Sequence, residues 1–187
     1  MKIRSVIKSI RYKFGWLLAY PGNIFNHNKV HSSTRIAGGT SLKFCTIGKH
    51  NYIARRNSLY NVEVGNYCCF GPDIHIGGMQ HSYWWYSMSP LLSDECKSPD
   101  RTIIGNDVWL GAGCIIKQGV KIGNGAVVGA GSFVNKDVEP FSIVVGSPAK
   151  LLKYRFGEDV REAIINSGYW DKDPEEANRI LNQLNKL

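Results

Sequence analysis

Few side chains in this sequence can move a proton near neutral pH or attack a carbonyl: there are five His and five Cys. An imidazole titrates close to neutrality and, acting as a general base, contributes about 10² to 10⁴ in rate. His81 opens the run His81-Ser82-Tyr83-Trp84-Trp85-Tyr86-Ser87-Met88-Ser89-Pro90, which sets such a base beside four aromatic rings. Tyr83, Trp84, Trp85 and Tyr86 could stack on a ring-shaped acceptor or pack the segment onto a neighbouring subunit. For His81 the plainer alternative is a structural hydrogen bond. His75 lies between Ile74 and Ile76 and so faces outward as a weaker candidate, while His27, His31 and His50 have no motif around them. Cys45, Cys68 and Cys114 fall on inward positions of the repeat below and read as small core residues. Cys69 faces out with no base beside it. An odd number of Cys without metal-type spacing predicts a reducing, cytoplasmic setting, and Arg11 and Lys13 interrupt any signal-peptide core.

The element that must hold these groups is a repeat. Ile104, Leu110, Ile116, Ile122, Val128 and Val134 recur every six residues, the period of a short strand plus a tight turn. Val108, Cys114, Val120, Ala126 and Ser132 stand two positions earlier and face the same way. Turn formers follow each strand, as in Gly105-Asn106-Asp107, Gly111-Ala112-Gly113 and Gly123-Asn124-Gly125. Three strands and three corners close one triangular coil, and stacked coils bury a continuous apolar column. Weaker triplets precede it at seventeen-residue steps: Val30, Ile36, Leu42; Ile47, Ile53, Leu59; Val64, Phe70, Ile76. Their inward polar residues Asn51 and Asn57 lie near corners, where an amide side chain caps turn backbone. About five coils result. After Ile76 the next in-phase aliphatic is Ile104, so residues 77–103 must leave the prism as a loop, the usual carrier of function.

The organisation expected is an N-terminal segment and linker at 1–29, a prism at 30–148 and a helical tail at 149–187. In the first segment Ile3, Val6, Ile7, Ile10, Phe14 and Leu17 share one helical face and Arg4, Lys8 and Arg11 another. That amphipathic helix, residues 1–18, either packs on the body or a neighbour or lies on a membrane surface. In the tail, Asp173, Pro174 and Glu176 start a helix whose stripe is Ala177, Ile180, Leu181, Leu184 and Leu187. A net charge of +8 invites an anionic partner without choosing among nucleic acid, acidic membrane and phosphorylated cofactor.

Ile104-Gly105-Asn106-Asp107-Val108-Trp109-Leu110-Gly111-Ala112-Gly113 and Val145-Gly146-Ser147-Pro148-Ala149-Lys150 resemble the hexapeptide-repeat acyltransferases. Val64-Gly65-Asn66-Tyr67-Cys68-Cys69-Phe70-Gly71-Pro72-Asp73, the loop histidine and Tyr169-Trp170-Asp171 narrow the resemblance to the xenobiotic acetyltransferase branch, over about residues 36–172. The resemblance implies an all-β, left-handed parallel β-helix with flanking helices, acetyl-CoA as acyl donor, and no metal. It makes His81 the catalytic base for direct attack by an acceptor hydroxyl, with backbone N–H groups holding the oxyanion. It assigns the pantetheine slot to Ala112, Gly113, Ala130 and Gly131, and the coenzyme phosphates to Lys136, Lys150, Lys153 and Arg155. That use of the basic excess requires no nucleic acid. The acceptor expected is a sugar hydroxyl in surface polysaccharide biosynthesis; the alternative is an antibiotic of the chloramphenicol or streptogramin type. Asp73 stands where the family more often has Asn.

Two other classes remain open. A metal-dependent hydratase on the same prism would require three His around one zinc, and a bare scaffold would bind no acetyl-CoA. Outward positions bear on assembly: Trp109 and Val127 share one face, Ile115 and Phe133 the next, and Lys121 and Glu139 the third. Two apolar faces meeting head to tail close a threefold ring, so a homotrimer is expected, and the resemblance places its active sites between subunits.

Overall fold

The structure, a computed structural model, describes residues 27–92 and 100–184. The helix expected at 1–18, the middle of the long loop and Leu187 lie outside the described residues.

Short strands follow one another at the six-residue spacing. The first coil is β1 (Lys29–Val30), β2 (Arg35–Ile36) and β3 (Ser41–Lys43); the second is β4 (Thr46–Ile47), β5 (Tyr52–Ile53) and β6 (Ser58–Tyr60). The third is β7 (Val62–Val64), β8 (Cys69–Phe70) and β9 (His75–Gly77), and the fourth is β10 (Thr102–Ile104), β11 (Trp109–Leu110) and β12 (Ile115–Ile116). The fifth is β13 (Lys121–Ile122), β14 (Val127–Val128) and β15 (Phe133–Val134), after which β16 (Ser142–Gly146) and β17 (Ala149–Tyr154) form an antiparallel hairpin. Through β15 every third strand pairs in parallel, giving the faces β1-β4-β7-β10-β13, β2-β5-β8-β11-β14 and β3-β6-β9-β12-β15, with β16 and β17 added to the end of the second. This is the parallel β-helix that the hexads predict.

Register confirms the coil lengths. Thr46 stands opposite Glu63, Glu63 opposite Ile103, and Ile103 opposite Lys121, so the steps are seventeen, forty and eighteen residues. The excess in the long step is the loop between β9 and β10. A sixth turn begins where Val138 bridges Ile122. That turn is short, which corrects one expectation: Lys121 donates its N–H to Asp137 Oδ1 at 2.8 Å, so Asp137 and not Glu139 stands over it. The Glu139 carboxylate instead accepts the Tyr154 hydroxyl.

The inward residues are buried throughout, from Leu42 to Val144. Truncating one of the aliphatics to Ala in such a column costs about 2–5 kcal/mol. Asn51 and Asn57 sit in that interior with both the oxygen and the nitrogen of each amide bonded. Asn51 accepts from the Cys68 N–H at 2.6 Å and donates to the Gly65 carbonyl at 2.9 Å. Asn57 does the same one corner on, with the Ile74 N–H at 2.7 Å and the Gly71 carbonyl at 3.0 Å. Buried amides satisfied in this way fix the coil register instead of weakening it.

The Gly-Asn pairs have a related cause. At the corner between the first and second strands of each coil, Asn124 Oδ1 accepts from the Asn106 N–H at 2.8 Å. Asn106 Oδ1 accepts from the Asn66 N–H at 2.8 Å, and Asn66 Oδ1 from the Lys49 N–H at 2.7 Å. A side chain on the preceding residue would block this: a Cβ on Gly65 would lie 2.5 Å from Asn106 Oδ1, and one on Gly105 2.6 Å from Asn124 Oδ1.

Beyond β17 the tail turns back along that same corner. It contains α1 (Glu158–Ser167), a 3-10 turn at Tyr169–Asp171 and α2 (Pro174–Leu184). Tyr169, Trp170 and Ala177 are buried with Phe141, against Tyr67, Ile164 and Ile180. The Tyr67 hydroxyl donates to the Lys172 carbonyl at 2.8 Å. Helix α2 starts at Pro174 as expected, with Glu176 paired to Lys172 at 3.3 Å and the Asp173 carboxylate 3.9 Å from His50 Nε2.

Candidate functional site

The three corners differ in what covers them. The first, joining the first strand of each coil to the second, lies under the tail. The second corner stacks Gly39, Arg56, Asp73, Gly113 and Gly131, each with a positive φ between 58° and 76°. Arg56 and Asp73 occupy its lower part as an ion pair, with Arg56 Nε and Nη2 at 2.6 and 2.7 Å from the carboxylate. Above them Ala112, Gly113, Ala130 and Gly131 are exposed. A Cβ on Gly113 or Gly131 would meet nothing within 4 Å. The Gly131 N–H donates to the Ala112 carbonyl at 2.8 Å and the Gly113 N–H to the Pro72 carbonyl at 3.0 Å. The result is an open ledge two coils tall and nearly free of side chains, along which an extended chain can approach backbone.

From the third corner emerges the loop. His81 is exposed, and its carbonyl accepts the Tyr83 N–H at 2.8 Å in a tight turn whose Ser82 is buried. The four rings follow as two edge-on pairs, Tyr83 with Trp84 at 5.2 Å and Trp85 with Tyr86 at 5.0 Å. All four are exposed, Tyr86 at 97%, so the rings offer flat apolar surface to a ligand or a neighbour. The loop is tied at its base by Gln118, whose Nε2 donates to Gln80 Oε1 at 3.2 Å beside His81. Sequence reasoning missed Gln118. Its one signal was position, since residue 118 of the fourth coil falls over residue 78 of the third once the forty-residue step is known.

The candidate phosphate ligands divide. Lys136 is exposed on the third corner, one coil beyond Gln118, and borders a hollow of about 200 Å³ that Ser142, Ala149 and Leu151 also line. Lys150 and Lys153 are exposed on β17, the strand that forms one wall of that hollow. Arg155 is drawn away from them to the first corner, where its guanidinium reaches Asp107 Oδ2 at 3.1 Å and the Gly125 carbonyl at 2.8 Å.

The ledge and the His81 loop thus border opposite edges of one face, that of β3-β6-β9-β12-β15. Its outward residues include His75, Ile115 and Phe133, with Ile115 48% exposed. A single chain holds both halves of the candidate site but does not bring them together. Burial pushes the Cys68 thiol up to about 12, which removes it from nucleophilic work, and burial raises Cys69 as well. Among the described residues no three His, Cys, Asp or Glu are grouped to hold a metal ion, and no helix is long and apolar enough to cross a membrane.

Residues 101–136 match the family model described as bacterial transferase hexapeptide (six repeats). Over those residues the chain carries hexapeptide repeats of that family's kind. The same strand spacing recurs in the earlier coils, with one corner of each shorter by a residue. Among curated proteins the chain is similar to a chloramphenicol acetyltransferase of Escherichia coli, 37% identical over 130 residues that cover 62% of each chain. It is also 34% identical to a galactoside O-acetyltransferase of Lactococcus lactis over 112 residues, 59% of this chain and 52% of that one. The match therefore spans less than two thirds of those relatives' own length. Among solved structures it is similar to a hexapeptide-repeat-containing acetyltransferase of Vibrio cholerae, with a TM-score of 0.56 at 28% identity over 70% of this chain and 72% of that one.

Proposed function

We propose that the chain is an acetyl-CoA-dependent O-acetyltransferase that acetylates a sugar hydroxyl in surface polysaccharide biosynthesis, in a cytoplasmic setting. The observation that carries this reading is that an open Ala-Gly ledge and a loop led by an exposed His flank the same face. Two copies packed across that face would set the ledge of one opposite His81 of the other, and a head-to-tail ring of three would complete three such sites. The pantetheine arm lies along Ala112, Gly113, Ala130 and Gly131, and Lys136, Lys150 and Lys153 meet the phosphates. The imidazole of His81 takes the acceptor's hydroxyl proton as the oxygen attacks the thioester carbon. The tetrahedral oxyanion is held by backbone N–H groups; its collapse expels the coenzyme thiolate, which receives the proton from His81. Tyr83 to Tyr86 stack on the acceptor ring.

A second reading is favoured by the similarity to chloramphenicol acetyltransferase: the acceptor is an antibiotic hydroxyl, with the same donor and base. Acetyl-CoA consumption measured against a panel of sugars, nucleotide sugars, chloramphenicol and streptogramins separates the two. Turnover with sugars supports the first reading, turnover confined to antibiotics the second, and no turnover with any hydroxyl acceptor overturns both.

A further inference from the structure

Charge is distributed along this chain by coil. Residues 1–62 hold eleven Lys and Arg and no Asp or Glu, whereas residues 63–187 hold twelve against fifteen. The net +8 is therefore the sum of a basic end and a mildly acidic remainder. In the fold the described part of that stretch, residues 27–62, forms the first two coils and so one end of the prism. Lys29 lies on the first face, Arg35 on the second, Lys43 on the third, Lys49 at the first corner and Arg55 at the second. Arg56, next to Arg55, is spent on Asp73. The cations thus surround the axis as a collar two coils deep, about 10 Å at the strand spacing, and all of them lie within roughly one Debye length of a plane laid across that end.

A collar fits a flat anionic surface met end-on. A polymer lying in a groove would call for cations along one side. The same end also displays aromatic surface. Phe44 is 39% exposed although its backbone is left-handed at φ 58°, a conformation costly for a bulky residue. Its ring stacks on His27 and meets Tyr60 edge-on, with Lys43 Nζ 5.4 Å from its centre. Tyr52, 52% exposed, stands on the next face. Rings beside lysines are the chemistry of a membrane interface.

We infer that the first two coils dock the prism end-on to an anionic lipid bilayer. Docking of this kind would hold the site, several coils away, at a fixed height above a membrane. The proposal does not rest on the acetyltransferase reading.

The test is co-sedimentation of the full chain with phosphatidylcholine vesicles and with vesicles containing phosphatidylserine. The expected result is binding to the anionic vesicles alone, weakening as salt is raised. Lys29→Glu/Lys43→Glu should reduce partitioning at least 25-fold, since each cation near such a surface is worth about fivefold. Phe44→Gly, which suits a left-handed backbone, should reduce it less and leave thermal stability intact. Equal binding to neutral vesicles, full binding by the charge-reversed chain, or binding to DNA or an acidic glycan in place of vesicles would overturn the inference. Unchanged melting of the variants separates these outcomes from misfolding.

Discussion

Asp107 and Arg155 meet at 3.1 Å across forty-eight residues of sequence, and through them the tail is locked to the corner of the fourth coil. Both side chains are about two-thirds buried, and Arg155 also donates to the Gly125 carbonyl. This contact makes Arg155 a fastener, whereas Lys136, Lys150 and Lys153 stay in solvent.

The two roles give opposite expectations. Arg155→Ala leaves a mostly buried carboxylate and a carbonyl without their donor, a loss of about 1–3 kcal/mol, or a melting temperature lower by roughly 5 °C for a chain of this size. The KM for acetyl-CoA should be unchanged. Lys150→Ala should leave melting alone and raise that KM about fivefold, the equivalent of roughly 1 kcal/mol. Thermal unfolding and steady-state kinetics on the two variants check this; a KM effect confined to Arg155→Ala would reverse the assignment.

The His50 imidazole stacks on Tyr67 at 4.9 Å with its Nε2 buried and unbonded, facing Asp173, His31 and Lys49. Burial holds its pKa below the ordinary value, outweighing the pull of Asp173. The unfolded chain then binds a proton first as pH falls below about 6.5, so stability is full above that value and declines towards the lowered folded value. Urea midpoints at pH 7.5 and 5.5 should differ for the native chain, and the difference should shrink in His50→Asn. A native midpoint that rises on acidification would contradict this sign.

How much of this was legible in the sequence depended on locality. The hexads from Val30 to Val134 name each inward position because a two-residue strand has only one inward-facing pattern available. The loop was legible too, as a break in phase between Ile76 and Ile104. What was not legible were partners set by stacking across coils. Asn106 and Asn124 read as turn formers, yet they and Asn66 each cap the coil before them. The resemblance grouped Arg155 with Lys150 and Lys153 as a phosphate ligand; only the fold of the tail reveals that a six-residue strand delivers it to Asp107. Glu139 was misplaced because the last corner is shorter than its predecessors.

Assembly is open to a direct test. Trp109 is 58% exposed on the second face and Ile115 48% on the third, a load of apolar surface that a ring of three would cover. Trp109→Glu should shift the mass seen by light scattering from trimer towards monomer and lower turnover in parallel. An active monomer of the native chain would refute the shared site.

The most direct measurement is acetyl-CoA consumption by His81→Ala with an acceptor that the native chain turns over. His81 is exposed on a loop, so its removal should not disturb the coils. The account predicts retained acetyl-CoA binding and a kcat lower by about 10²–10⁴, the contribution of a general base. A variant that turns over at the native rate would contradict it.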